Sequence, residues 1–246
     1  MSSNRFELLG VKYNNIFQDE ALKEICGLVD SEKRSIVCFL NTDCLRQAQK
    51  DEEYRNILNS ADLVISDGIG LKITTRLYGG RMVDNCNGTD LLPRIMEEAT
   101  KKRWKIFFLG GKDGVAWKAA INIRKKIPGI QIVGTHSGYD LDDQKVIEQI
   151  NASGADMLFV AMGVPTQEKW IARNRVCLNP KVCLGVGAFL DYLSGSIPRA
   201  PGWMQKYGIE WFWRVFVDPK RMFKRYFIDG IGFMCYVLFW RVRGLR

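Results

Sequence analysis

The chain is expected to fold as an α/β domain, with a mainly parallel sheet covered by helices on both faces and a helical, amphipathic C-terminal appendage. Three observations predict this. Short runs of Val, Ile, Leu and Phe end in Gly, Asn or Asp, and helix-like segments lie between most of them. After "SGSIPRAP" (194–201) that pattern stops, and aromatic and basic residues take over. Runs that are apolar throughout belong to strands buried on both faces, as helical crossovers in parallel sheets require. The layout is Rossmann-like.

In chain order the expected strands are "SIVCFLN" (35–41), "ADLVISDG" (61–68), "KIFFLGG" (105–111), "IQIVG" (130–134), "ADMLFVAMG" (155–163) and "KVCLGVG" (181–187). The segments "DLLPRIMEEATKKR" and "DQKVIEQINAS" repeat apolar residues every three or four positions, the helical period. A boundary falls near residues 197–199, separating a domain of residues 1–198 from an appendage of residues 199–246. There is no internal repeat and no low-complexity tract.

Composition sets broad bounds. A chain of 246 residues with 47% hydrophobic and 26% charged residues has the balance of a packed globular protein. Lys and Arg number 36 against 27 acids, a formal charge of +9 that favours an anionic partner without specifying which. Seven cysteines without a C-x-x-C pair argue against a disulfide framework and a zinc ribbon, and point to a reducing compartment. The N-terminal "MSSNRFELLGVKYNN" shows no signal-peptide pattern. The apolar "IGFMCYVLFW" (231–240) is about half the roughly 20 residues a spanning helix needs, so a cytoplasmic chain with peripheral membrane contact is expected.

Parallel sheets bind ligands outside the carboxyl ends of their strands, so the loops there are the candidate sites. In "SDGIGL", Asp67 is either a general base or the cap of the next helix. In "LGGKDGVAWKAA", Gly110 and Gly111 stand between a strand and a helix, where backbone N–H groups suit a phosphate. It is neither a Walker A loop nor a G-x-G-x-x-G motif. In "MGVPTQEKW", Gln167 and Glu168 could hydrogen-bond a sugar or base edge, or simply begin a helix. "NGTDLL" reads as an N-cap, with Asp90 in the first helical turn or facing the cleft. His136, the only histidine, has no nucleophile-elbow serine to serve. Asp140 and Asp142 form a D-x-D that could ligate a divalent ion beside a nucleotide diphosphate, but a helical pattern follows at once and favours capping.

Taken in order, "SDGIG", "NGTDL", "FFLGG", "MGVPTQE", "GVGAFLDYLSG", "RAPGW", "GIEWFWR" and "DPKRMFKRY" resemble the WecG/TagA/CpsF family of bacterial glycosyltransferases, over about residues 41–226. The resemblance implies an inverting transfer of a hexose such as N-acetylmannosamine or glucose. The donor would be a UDP-sugar and the acceptor a polyprenyl-diphosphate-linked sugar, with no required metal and no cofactor. The products would feed teichoic acid, capsule, exopolysaccharide or a related surface polymer. It makes Asp67 the expected base, and Asn41, Asp90, Gln167, Glu168 and Asp191 expected cleft residues, with the Gly110–Gly111 loop near the diphosphate. Arg214, Arg221 and Arg225 match the family's arginines and are expected to stabilise the departing UDP. Two departures stand out: Phe39 replaces a frequent Thr, and Thr166 a frequent Lys.

The tail "EWFWRVFVDPKRMFKRY" (210–226) is broken by Asp218-Pro219, a cap followed by the residue best suited to a first helical position, so two helices are expected. In the second, Lys220, Arg221, Lys224 and Arg225 fall on one side and Met222, Phe223, Tyr226 and Phe227 on the other. No recognition-helix, RNA-recognition or zinc pattern accompanies these residues, which leaves a nucleic-acid reading without a supporting motif. A basic-aromatic face suits an anionic membrane surface. The expected location is the cytoplasmic face of the cell membrane, and the expected role of the appendage is both docking and active-site closure. A homo-oligomer is compatible with the sequence. Two other readings remain open: a metal-dependent nucleotide-sugar transferase using Asp140 and Asp142, and a non-catalytic nucleic-acid-binding module.

Overall fold

A computed structural model describes residues 5–242 apart from Glu32, Asp140 and Gly208. The chain begins with a hairpin, β1 (Arg5–Leu8) and β2 (Val11–Asn14), then runs α1 (Gln18–Asp30), β3 (Ser35–Leu40), α2 (Thr42–Ala48), α3 (Glu52–Ser60) and β4 (Leu63–Ser66). It continues through α4 (Ile69–Leu77), α5 (Gly88–Lys102), β5 (Lys105–Gly110), α6 (Val115–Lys126), β6 (Gln131–His136) and α7 (Asp143–Ala152). The α/β unit closes with β7 (Met157–Ala161), α8 (Thr166–Asn174), β8 (Val182–Gly185) and α9 (Phe189–Ser194).

The eight strands form one sheet in the order β1-β2-β4-β3-β8-β7-β5-β6, parallel throughout except for the antiparallel β1–β2 pair. All six expected strands are present. The edge hairpin was not anticipated. Its two-residue turn uses Leu9 and Gly10, both left-handed (φ 51° and 76°), where a sequence signal would have been Asn-Gly or Asp-Gly.

Successive residues of each central strand enter opposite cores. In β3, Val37 and Phe39 join the layer under α1, α5, α6 and α9, while Ile36, Cys38 and Leu40 join that under α2, α3, α4, α7 and α8. In β7 the same alternation separates Met157 and Phe159 from Leu158 and Val160. Both side-chain rows of each strand therefore leave water, which explains the unbroken apolar runs. Each fully buried Leu or Phe in these layers stabilises the sheet by roughly 1.5–3 kcal/mol.

The appendage is helical: α10 (Gly202–Lys206), α11 (Glu210–Val217), α12 (Pro219–Phe223), a π-helical turn (Lys224–Gly230) and α13 (Ile231–Val242). The break at Asp218-Pro219 lies where expected. The apolar side expected for the second tail helix does not pack as a unit, however. Met222 is buried, whereas Phe223 and Phe227 are 53% and 37% exposed. The π winding adds a residue per turn, so the 100° periodicity assumed across 220–227 is lost after Phe223. No helix among the described residues is long and apolar enough to cross a membrane.

Candidate active site

A cleft of about 510 Å³ opens at the carboxyl end of the sheet, between β3 and β8. The chain leaves β3 for α2 on one face of the sheet and leaves β8 for α9 on the other, so the two strand ends diverge and a crevice results. Asn41 follows β3 and caps α2: its Oδ1 accepts from the Asp43 and Cys44 amides at 3.0 and 3.1 Å, leaving its amide N–H groups as donors in the cleft. Asp67 follows β4 and also lines the cleft. The cap of α4 is the next residue, Gly68 (φ 94°), whose amide donates to Asn85 Oδ1 at 2.6 Å.

The floor is organised by Gln167, at the start of α8. Its Oε1 accepts from the backbone amides of Gly163 (3.2 Å) and Gly187 (3.0 Å), which joins the loop after β7 to the loop after β8. Its Nε2 donates to Glu168 Oε1 at 2.7 Å. Glu168 is fully buried behind Gln167, and its Oε2 makes no hydrogen bond among the described residues. Burial pushes its carboxyl up to about 7, opposed only in part by the bond from Gln167. Gly185 leaves the space these side chains need: a Cβ there would sit 2.7 Å from Gln167 Nε2 and 3.0 Å from Glu168 Oε1.

The roof comes from the appendage. Glu210 and Arg214 of α11, Met222 of α12, and Lys224 and Asp229 of the π turn all line the cleft. Arg214 lies over the Tyr192 ring at 5.3 Å, a cation–π contact that holds the guanidinium toward α9. Polar ties hold the roof down. Arg199 pairs with Asp90 of α5 and, at 3.4 Å, with Glu210. Arg46 of α2 is held by Asp43 at 2.7 Å and reaches Asp229 at 3.7 Å. Trp213 donates its indole N–H to the Pro198 carbonyl at 3.1 Å.

The cleft thus joins one carboxylate at a strand end, amide groups, and cations from both α2 and the appendage. Such a site can accept a proton from a nucleophile at one point and neutralise a developing anion at another. Among the described residues, no three His, Cys, Asp or Glu side chains converge as a metal cluster.

Residues 6–246 match the profile of the Glycosyl transferase WecG/TagA/CpsF family. The chain belongs to this family. Among its relatives is the N-acetylglucosaminyldiphosphoundecaprenol N-acetyl-beta-D-mannosaminyltransferase of Bacillus subtilis (strain 168), 34% identical over 193 residues, 78% of this chain and 75% of that protein. The enzyme of the same description from Staphylococcus aureus (strain MRSA252) is 26% identical over 220 residues, 89% of this chain and 87% of its own length.

The residues carried over from the WecG/TagA/CpsF pattern divide by position. Asn41, Asp67, Gln167 and Arg214 meet in the cleft. Glu168 lies behind Gln167, and Asp191 sits on α9 beside the lining residue Tyr192. Asp90 stands in the first turn of α5, where it accepts from Asn87 Nδ2 at 2.7 Å and pairs with Arg199. Gly110 and Gly111 lie outside the lining. A Cβ at Gly110 would fall 2.3 Å from the Ala161 carbonyl oxygen, and the Gly111 amide already donates to that oxygen at 2.9 Å. Close backbone packing is therefore a sufficient reason for Gly110, while at Gly111 a Cβ would meet the Val115 side chain at 2.5 Å and φ is 70°. The side chains of Arg221 and Arg225 lie outside the described residues, as does Asp140. Asp142 caps α7 and pairs with Lys145 at 2.9 Å, away from the cleft. The His136 ring contacts the Ser137 carbonyl at 2.8 Å. Of the family departures, Phe39 lines the cleft and Thr166 opens α8.

Arg46, Tyr192, Lys224 and Asp229 line the cleft and were not singled out as site residues. Arg46 had a usable signal, being five positions beyond Asn41 on the helix that Asn41 caps. Lys224 and Asp229 had none, because the π turn that aims them has no recognised sequence mark.

Proposed function

We propose that the chain transfers a hexose from a UDP-sugar to a polyprenyl-diphosphate-linked sugar with inversion. Asp67 takes the proton of the acceptor hydroxyl as the oxygen attacks the anomeric carbon. The bond from that carbon to the UDP oxygen breaks, and the β-phosphate gains negative charge. Arg214, Lys224 and Arg46 supply compensating positive charge, and Arg221 and Arg225 add to it from the same appendage. Asn41 and Gln167 present amide groups to the sugar hydroxyls. The observation that carries this reading is the cleft that gathers the strand-end carboxylate Asp67 with Arg46, Arg214 and Lys224 among its lining residues.

The activity for which the relatives are named makes N-acetylmannosamine the leading sugar and an N-acetylglucosamine-diphosphate lipid the leading acceptor. The domain of residues 1–198 performs the chemistry, and residues 199–246 both close the cleft and dock on the cytoplasmic membrane face. Support for docking comes from the exposed Phe212, Phe216, Phe223, Phe227 and Ile228. Screening UDP-sugars for UDP release against the lipid-linked acceptor, with and without a chelator, tests the reading. UDP release that requires both substrates and survives chelation is expected. Release from a different nucleotide-sugar only, or a strict metal requirement, would contradict it.

A further inference from the structure

A second cavity of about 500 Å³ lies on the α/β domain, away from the cleft, and is lined by Lys72, Arg76, Gly80, Arg81, Met82 and Val83. Its three cations are exposed, no acid lines it, and none of the three forms an ion pair among the described residues. The helix that borders it, α4, buries Leu71, Thr74 and Thr75. On its outer side Ile69 and Ile73 are 43% and 47% exposed, and Val83 beyond the helix is 40% exposed. At about 100° per residue, Ile69, Lys72, Ile73 and Arg76 share one arc of roughly 100°. Two isoleucines flanked by two cations on an unpartnered helix face are the pattern of an interfacial surface.

The same helix touches the appendage. Thr74 Oγ1 meets Met234 Sδ at 3.8 Å, and Tyr78 donates to the Val237 carbonyl at 3.4 Å. Through these contacts, and through the burial of Phe233 and Val237, α13 is seated beside α4 while leaving Ile231, Leu238 and Phe239 about half exposed. The exposed apolar residues of the tail thus continue onto the α/β domain. The face ends at the cleft, since Asp67 lies two residues before Ile69.

We propose that the outer face of α4, with the basic cavity beside it, is a second docking surface for an anionic phospholipid bilayer. This rests on the proposed function in one respect: a face that begins at Asp67 sets the base at the level where a lipid-linked diphosphate emerges from the membrane. The isoleucines enter the interface, and Lys72, Arg76 and Arg81 meet lipid phosphates. The α/β domain is then oriented on the membrane by its own residues, and the tail does not act as a free tether.

The test is vesicle flotation of the full chain with phosphatidylcholine containing phosphatidylglycerol, compared with phosphatidylcholine alone. Each basic residue at such a surface contributes about fivefold in partitioning, so Lys72→Glu with Arg76→Glu should weaken binding at least tenfold. Ile73→Ser should weaken it severalfold. Both variants should melt like the wild type and transfer sugar normally to a short, water-soluble acceptor, while transfer to vesicle-embedded acceptor falls with binding. Wild-type flotation of both variants would overturn the proposal and leave docking to the tail. Sedimentation showing that the variants instead split a wild-type oligomer would reassign the face to a second copy of the chain. Flotation needs no turnover, so a chain that floats through α4 but transfers no sugar would overturn the proposed function and leave this surface standing.

Discussion

Residues 35–194 and residues 199–242 are both rich in large apolar side chains but place them differently. In the α/β unit Phe107, Phe108 and Phe159 are fully buried between sheet and helices. In the appendage Phe212, Phe216, Phe223 and Phe239 are 41–66% exposed, and among the described residues Met204, Met222, Phe233 and Val237 are the large apolar side chains that are buried. The first region is held by burial of whole strands. The second is held at a few points: the Asp90–Arg199–Glu210 and Arg46–Asp229 ties, and the insertion of Phe233 and Val237 beside α4. Ion pairs that solvent still reaches, as it does these half-buried ones, contribute about 0–1 kcal/mol each, so the appendage is weakly fastened relative to the sheet. A roof fastened weakly over a cleft can lift to admit substrate, and its solvent-exposed aromatics suit the lipid surface proposed for it.

Breaking the comparison outright means removing residues 199–246. The remaining domain is expected to fold, with a lower melting temperature because Phe233 and Val237 leave their core. Its turnover should fall by about 10²–10³-fold or more, because the roof cations are lost. Calorimetry and UDP release check the two halves of that statement, and a truncated chain with full turnover would show the roof to be dispensable.

The rigid side of the comparison is sharpened by Gly185→Ala. The added Cβ meets Gln167 Nε2 at 2.7 Å, so the Gln167 side chain and the two loop amides it gathers must shift. Overpacking should cost about 1–3 kcal/mol, and displaced cleft groups should lower kcat by about 10²-fold. Unchanged kcat would mean that the Gln167 clamp does not position substrate.

A smaller effect concerns Glu168. Its native carboxyl titrates near 7 against an ordinary value of 4.5, so between these values the native state holds a proton that the unfolded chain has lost. Stability must then fall as pH rises through that window and level off above about 7, by about 3 kcal/mol in all. Glu168→Gln should flatten that dependence, as read from denaturant midpoints at pH 5 and pH 8. Parallel pH profiles in the two proteins would show that Glu168 is ionised at no such cost.

The two regions also differ in how much of them the sequence revealed. Apolar runs such as 155–163 announced strands because both faces are covered, and their loops placed Asn41, Asp67 and Gln167 at the sheet's carboxyl edge. Packing across distant segments was less visible. Gly110 and Gly111 suggest a phosphate loop, yet Ala161 of a neighbouring strand accounts for the first, and Val115 with a left-handed φ of 70° for the second. The β1–β2 hairpin escaped notice because its turn is Leu9-Gly10 and its strands have only four residues each. In the appendage the Asp218-Pro219 break was readable, whereas the π turn, which sends Lys224 and Asp229 to the cleft and leaves Phe227 outside, has no local sequence signal.

The most direct test of the central claim is single-turnover transfer by Asp67→Asn, measured beside UDP binding. If Asp67 is the base in a cleft whose cations hold the nucleotide, transfer should fall by about 10²–10⁴-fold while UDP affinity and the melting temperature stay near wild type. Wild-type transfer by this variant, or a loss matched by equal loss of UDP binding, would contradict the assignment.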